Sequence, residues 1–119
     1  MQSYRELIVW QKSIKLVKEV YQLTQSFPKE EIYGLSSQMR RAAVSIPSNI
    51  AEGYVRKHKQ EYIQFLRIAF GSGAELETQF EIAKQLNYFT DKQTQKAESD
   101  LTEVMKMLNK LISTLVARP

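Results

Sequence analysis

The 119-residue chain has no cysteine, one histidine, three prolines and four glycines. The lack of cysteine excludes a disulfide framework, a thiol nucleophile and any thiolate metal site. So few glycines and prolines disfavour a turn-rich all-β fold. Long apolar runs are also missing. Leu7-Ile8-Val9-Trp10 is the longest, far short of the roughly 18–20 residues of a membrane span. Arg5, Glu6 and Lys12 interrupt the N-terminal region, so no signal peptide is expected there. What remains is ordinary globular usage, 43% hydrophobic and 25% charged, which argues against disorder and for one cytoplasmic, mainly helical domain over residues 1–119.

The formal net charge is +4, and it is unevenly spread. Up to Lys59, ten Lys/Arg stand against five Asp/Glu; beyond it, seven stand against eight. A basic first half is compatible with a polyanionic partner. A solvated, lysine-rich surface has the same composition.

Apolar spacing at three- and four-residue steps predicts four amphipathic helices, over about residues 3–26, 31–53, 59–86 and 91–116. In the first, Leu7, Trp10, Ile14, Val17 and Tyr21 form the core stripe, broadened by Ile8, Leu16 and Val20. Ser3 and Glu6 have the form of a capping box, and Pro28 stops the helix. The second carries Leu35, Met39, Ala42, Ala43, Ile46 and Ile50. Pro47 removes one backbone hydrogen bond yet leaves this phase intact, so a continuous but kinked helix is expected, capped by Gly53.

The third helix is the longest, with Tyr62, Leu66, Ala69, Gly73, Leu76, Phe80 and Ala83 as its seam. The register holds on both sides of Gly71 and Gly73, which predicts no break there. Thr90 or Asp91 caps the fourth helix, whose stripe is Leu101, Val104, Leu108, Leu111 and Leu115. Its polar first turns place the apolar face in the later half. Short connections make the expected fold all-α, an antiparallel up-down-up-down four-helix bundle.

No reactive constellation accompanies these helices. A His-Asp-Ser triad would need His58 beside a nucleophile and an orienting carboxylate, and nothing in the sequence supports that. Di-iron bundles need Glu-x-x-His twice, and His58-Lys59-Gln60-Glu61 has the wrong order, once. Glu75, Glu77 and Glu81 read as an acidic surface. Gly71-Ser72-Gly73 lacks the strand, loop and Lys-Ser/Thr of a phosphate loop and reads better as a close helix contact. No enzymatic activity, cofactor or metal is expected, and no membrane partner. Candidate nucleic-acid contacts are Arg5, Lys12 and Lys15 on the first helix, Arg41 on the outer strip of the second, and the cluster Arg56, Lys57 and Lys59. They would hold a phosphate backbone by charge. The small residues around Pro47 and Asn49, with Gly71 and Gly73, are candidate packing or assembly positions, with Asn49 or a neighbouring chain expected to satisfy the carbonyl freed by Pro47.

Several strings resemble a known family. Leu7-Ile8-Val9-Trp10-Gln11-Lys12, Phe27-Pro28-Lys29-Glu30-Glu31, Tyr33-Gly34-Leu35 and Gln38-Met39-Arg40-Arg41-Ala42-Ala43 are similar to its first half. Ser45-Ile46-Pro47-Ser48-Asn49-Ile50-Ala51-Glu52-Gly53 resembles its most distinctive motif, and Ala69-Phe70-Gly71-Ser72-Gly73 with Glu75-Leu76-Glu77-Thr78-Gln79 continues the match. The family is that of bacterial four-helix bundles encoded in intervening sequences of 23S ribosomal RNA genes. A related branch is the accessory variability protein of diversity-generating retroelements. The resemblance implies a homopentamer with a basic outer surface and a nucleic-acid role (RNA or RNA/DNA). In the retroelement branch it implies a reverse transcriptase as partner. It implies no catalysis. The alternative is a structural or protein-interaction module without a nucleic-acid ligand.

Overall fold

A computed structural model describes residues 3–119. Four helices, α1 (Ile8–Thr24), α2 (Leu35–Val55), α3 (Lys59–Gln85) and α4 (Asp91–Ala117), pack into a bundle of 49 × 23 × 20 Å. Each packs on its sequence neighbours, and α1 closes the ring against α4. Cross-seam pairs show the antiparallel sense: Thr24 meets Arg40, Ser45 meets Ser72, Lys84 meets Glu98, and Lys12 meets Glu103. The core is apolar, with Leu16, Met39, Ile46, Leu76, Phe80 and Leu108 fully buried.

Local chemistry explains where the helices stop. Thr90 and Gln93 form a reciprocal capping box at the start of α4. At the end of α3, Asn87 takes a left-handed φ of 63° while the Tyr88 N–H reaches back to the Ala83 carbonyl. That is a Schellman closure with asparagine in the glycine position. Glu31 caps α2 from the preceding connection: its carboxylate accepts the Leu35 N–H at 2.9 Å and the Tyr88 hydroxyl at 2.8 Å.

The structure corrects several expectations. Ser3 caps only a single 3-10 turn, Tyr4–Glu6, and Leu7 is extended, so the first α-helix begins at Ile8. It ends at Thr24, ahead of Pro28. The second helix starts four residues later than its spacing predicted, because Lys29–Glu31 forms its own 3-10 turn. Gly53 is not a cap. The helix continues to Val55, and Lys57 takes the left-handed conformation, φ 55°. Gly53 is buried instead, where a Cβ would stand 2.7 Å from that of Phe65.

The core stripe of α1 is also rotated from the expected one. Val9, Ser13, Leu16, Val20 and Thr24 are buried, whereas Ile14 and Tyr21 remain 43% and 41% exposed. Ser13 and Thr24 enter the core because their hydroxyls bond to backbone carbonyls of Trp10 and Val20 within their own helix. In α4, burial begins at Thr94 and Ala97, well before the leucines. α3 runs unbroken through both glycines. They differ: a Cβ on Gly73 would strike the Met105 sulfur, while one on Gly71 would meet nothing within 4 Å among the described residues.

Candidate nucleic-acid interface

The seven predicted cations do not form one surface. On α1, Lys12 pairs with Glu103 at 2.8 Å, and its ammonium pKa is raised by the hydrogen bond and charge of that carboxylate. Lys15 lies 3.9 Å from Asp100, and Lys96 of α4 reaches Glu19 at 3.3 Å. These pairs turn the α1–α4 seam into a neutralised strip rather than a basic one. Arg5 stacks over Tyr4 and Trp10, with its carbon centre 5.6 Å from the Trp10 ring. Arg56 is held by Glu52 and Glu61 at 3.3 and 3.4 Å, and Lys59 donates to the Arg118 carbonyl. Surface pairs of this sort contribute little to stability, but they do lower the field a phosphate would meet.

Arg41 and Lys57 are different. Both are exposed, and among the described residues neither has a carboxylate within ion-pair distance. Arg41 lies on α2, and Lys57 lies just past the C-terminal end of that helix. Arg41 borders two hollows. One, between α2 and α3, is lined by Gln38, Arg41, Ser45, Ser72 and Glu75. The other, between α1 and α2, also holds Arg40 and Lys29, with no carboxylate in its lining. The sequence reading missed Arg40 and Lys29 as partners of Arg41. The signal was present, since Arg40 lies 100° round the helix from Met39 and therefore toward a neighbouring helix.

The distinctive motif in α2 has a clear physical role. Asn49 Nδ2 donates to the carbonyl and hydroxyl of Ser45, each at 2.8 Å, and the Ser72 hydroxyl of α3 donates to the same Ser45 hydroxyl oxygen. Asn49 therefore bonds one turn back to Ser45, not to the Ala43 carbonyl that Pro47 leaves without its helical donor. Pro47 is buried. Beside it runs a shallow apolar groove between α1 and α2, lined by Trp10, Ile14, Val17, Val44, Pro47 and Ala51.

Burial, with a smaller contribution from neighbouring Tyr54, pushes the Tyr62 hydroxyl up to about 12. His58 stands 3.7 Å from Glu61 in an exposed connection. Among the described residues no three His, Cys, Asp or Glu side chains come together to hold a metal, and no helix is long and apolar enough to cross a membrane.

Fold and surface thus define an all-helical bundle with polar hollows flanking its second helix. The chain belongs to the 23S rRNA-intervening sequence protein family, whose model matches residues 5–110. It is similar to a protein of unknown function from the S23 ribosomal protein family of Bacteroides thetaiotaomicron. That crystal structure superposes with a TM-score of 0.82, at 26% identity, over 88% of this chain and 98% of the other. No curated protein matches the chain.

Proposed function

We propose that this protein is a non-enzymatic, self-assembling bundle that holds nucleic acid by its phosphate backbone and serves as an accessory factor. The observation that carries the reading is two exposed cations, Arg41 on α2 and Lys57 just past its C-terminal end, without ion-pair partners among the described residues. One copy offers too few charges for tight binding. Assembly, as a homopentamer on the family resemblance, would repeat these cations and bind multivalently. The half-exposed apolar groove beside Pro47 supports self-association, since a contiguous apolar strip on the surface favours a partner. A second reading, a protein-interaction module with no nucleic-acid ligand, is favoured by the neutralisation of Lys12, Lys15 and Arg56 within the chain.

Titration with a structured RNA at several salt concentrations separates the two. Backbone binding gives an affinity that falls steeply with salt. Arg41→Glu with Lys57→Glu should flatten that slope by about one for each phosphate left unneutralised, whereas Lys110→Glu on α4 should leave it unchanged. No binding at low salt overturns the nucleic-acid reading in favour of the second.

A further inference from the structure

Where α1 passes into its connection to α2, a cleft of about 740 Å³ opens between the two helices. Its volume lies within the range of small-ligand sites, about 300–1,000 Å³. Tyr21 and Thr24 of α1, Phe27 and Ile32 of the connection, and Arg40 and Val44 of α2 form its walls. The hydroxyls of Ser36, Ser37 and Ser45 and the charges of Lys29 and Arg41 also line it, and no carboxylate does.

Arg40 is the centre of the cleft. Its Nε donates to Thr24 Oγ1 at 2.8 Å, one Nη2 hydrogen goes to the Tyr21 carbonyl at 3.3 Å, and its guanidinium stacks 4.5 Å from the Tyr21 ring centre. Among the described residues this leaves both hydrogens of Nη1 and one of Nη2 without an acceptor. A structural arginine at a helix–helix seam is normally answered by a carboxylate or by several carbonyls. Here the fork is oriented and half-buried, and its remaining edge meets no protein acceptor among the described residues. A planar guanidinium fixed in this way matches two oxygens of a phosphate, and much of its rotamer freedom is already lost before any ligand arrives. The N-terminus of α2 adds nothing, since Glu31 already accepts its Leu35 N–H.

We propose that this cleft binds the phosphate of a nucleotide unit, with the open edge of Arg40 on the phosphate oxygens, Lys29 and Arg41 as supporting charges, and the apolar walls at Phe27, Ile32 and Val44 against the ring system. The unit is either a free nucleotide or one residue of an RNA strand; the ligand chemistry is the same. The cleft shares Arg41 with the backbone interface proposed above but does not rest on it, because a mononucleotide is sufficient to fill it.

Calorimetric titration of the intact protein with AMP, adenosine, inorganic phosphate and a single-stranded RNA tests this. AMP should bind saturably, and adenosine about ten-fold or more weakly than AMP, because the charge-assisted contacts require the phosphate. Arg40→Gln should weaken AMP by about ten-fold and exposed Lys29→Glu by several-fold, with melting curves verifying that both variants fold. Lys110→Glu should bind AMP as the parent does. Full AMP binding by both folded variants overturns the proposal, as does failure of AMP to bind unless RNA binds and Arg40→Gln weakens it. AMP binding without RNA binding supports the cleft and overturns the backbone interface. RNA binding without AMP binding, unchanged in Arg40→Gln, does the reverse. If RNA alone binds but Arg40→Gln weakens it, the cleft serves a strand residue and the free-nucleotide source is overturned.

Discussion

Glu19 on α1 and Asp100 on α4 face each other carboxyl to carboxyl across the bundle seam. Glu19 Oε1 and Asp100 Oδ2 are both buried without a hydrogen-bond donor. Lys15 stands too far from Asp100, at 3.9 Å, to supply one, and Lys96 reaches only the other oxygen of Glu19. With both groups ionised, the pair is one proton short of a hydrogen bond.

Burial, and then the hydrogen bond and charge of Asp100, raise the Glu19 pKa above the usual carboxylate value of 4.5. A carboxyl raised on folding binds its proton more tightly in the native state. Its contribution to stability is therefore greatest below pH 4.5 and declines as pH rises through the raised value. Glu19→Gln supplies a permanent N–H donor toward Asp100. It should stabilise the protein by about 1 kcal/mol at pH 7 and by much less at pH 4. Urea unfolding at the two pH values measures this; an equal effect at both would show that the two carboxyls do not share a proton.

Glu31 behaves in the opposite sense. The Leu35 N–H, followed by the Tyr88 hydroxyl, holds its pKa below 4.5, so its contribution is present above that pH and lost as pH falls through the lowered value. Glu31→Gln should lower the melting temperature at pH 7, and the difference should shrink as acid is added. A difference that stays constant with pH would place the role of Glu31 in packing rather than charge.

Three glycines form a graded series. Gly53→Ala brings a Cβ against that of Phe65 and near the Tyr62 carbonyl, groups that cannot move without the backbone; the expected destabilisation is about 2–3 kcal/mol. Gly73→Ala meets the Met105 sulfur, part of a flexible side chain, and should cost about 1 kcal/mol. Gly71→Ala meets nothing and should stabilise the helix by roughly 0.5–1 kcal/mol. Chemical denaturation of the three variants gives the order directly, and a destabilising Gly71→Ala in an assembled sample would place that position in a contact between chains.

The groove beside Pro47 makes a prediction about mass. Light scattering of the wild-type protein should give a multiple of 13.9 kDa, five-fold on the pentamer reading. Ile14→Glu with Val44→Glu puts charges on two exposed positions of that groove and should yield a folded monomer. Pro47→Ala should shift the assembly state. A monomeric wild type at high concentration removes the basis for multivalent binding.

Much of the fold was legible in the sequence. The Leu66–Ala69–Gly73–Leu76–Phe80 seam kept its register through the glycines because a helix packed on both sides tolerates them where a neighbour fills the space. The Thr90 cap was readable because its side chain acts within one turn. The α1 stripe was not, because Ser13 and Thr24 are buried while Ile14 and Tyr21 are partly exposed, and hydropathy cannot register a hydroxyl satisfied by its own helix. The candidate interface was legible in residue type only. Lys12, Lys15 and Arg56 read as surface cations, but their partners Glu103, Asp100 and Glu61 lie on other helices or across a turn.

Composition and periodicity alone determined four helices of roughly these lengths, no thiol chemistry, and a basic first half, because each depends only on neighbours within a turn or on a sum over the chain. The tertiary structure alone decided which cations find acids, which glycine is crowded, and that Arg40 is held by Thr24 and Tyr21 with an open edge toward a cleft. Those outcomes depend on the rotation and register of one helix against another. Packing sets these to within a fraction of a turn, finer than an amphipathic stripe can define.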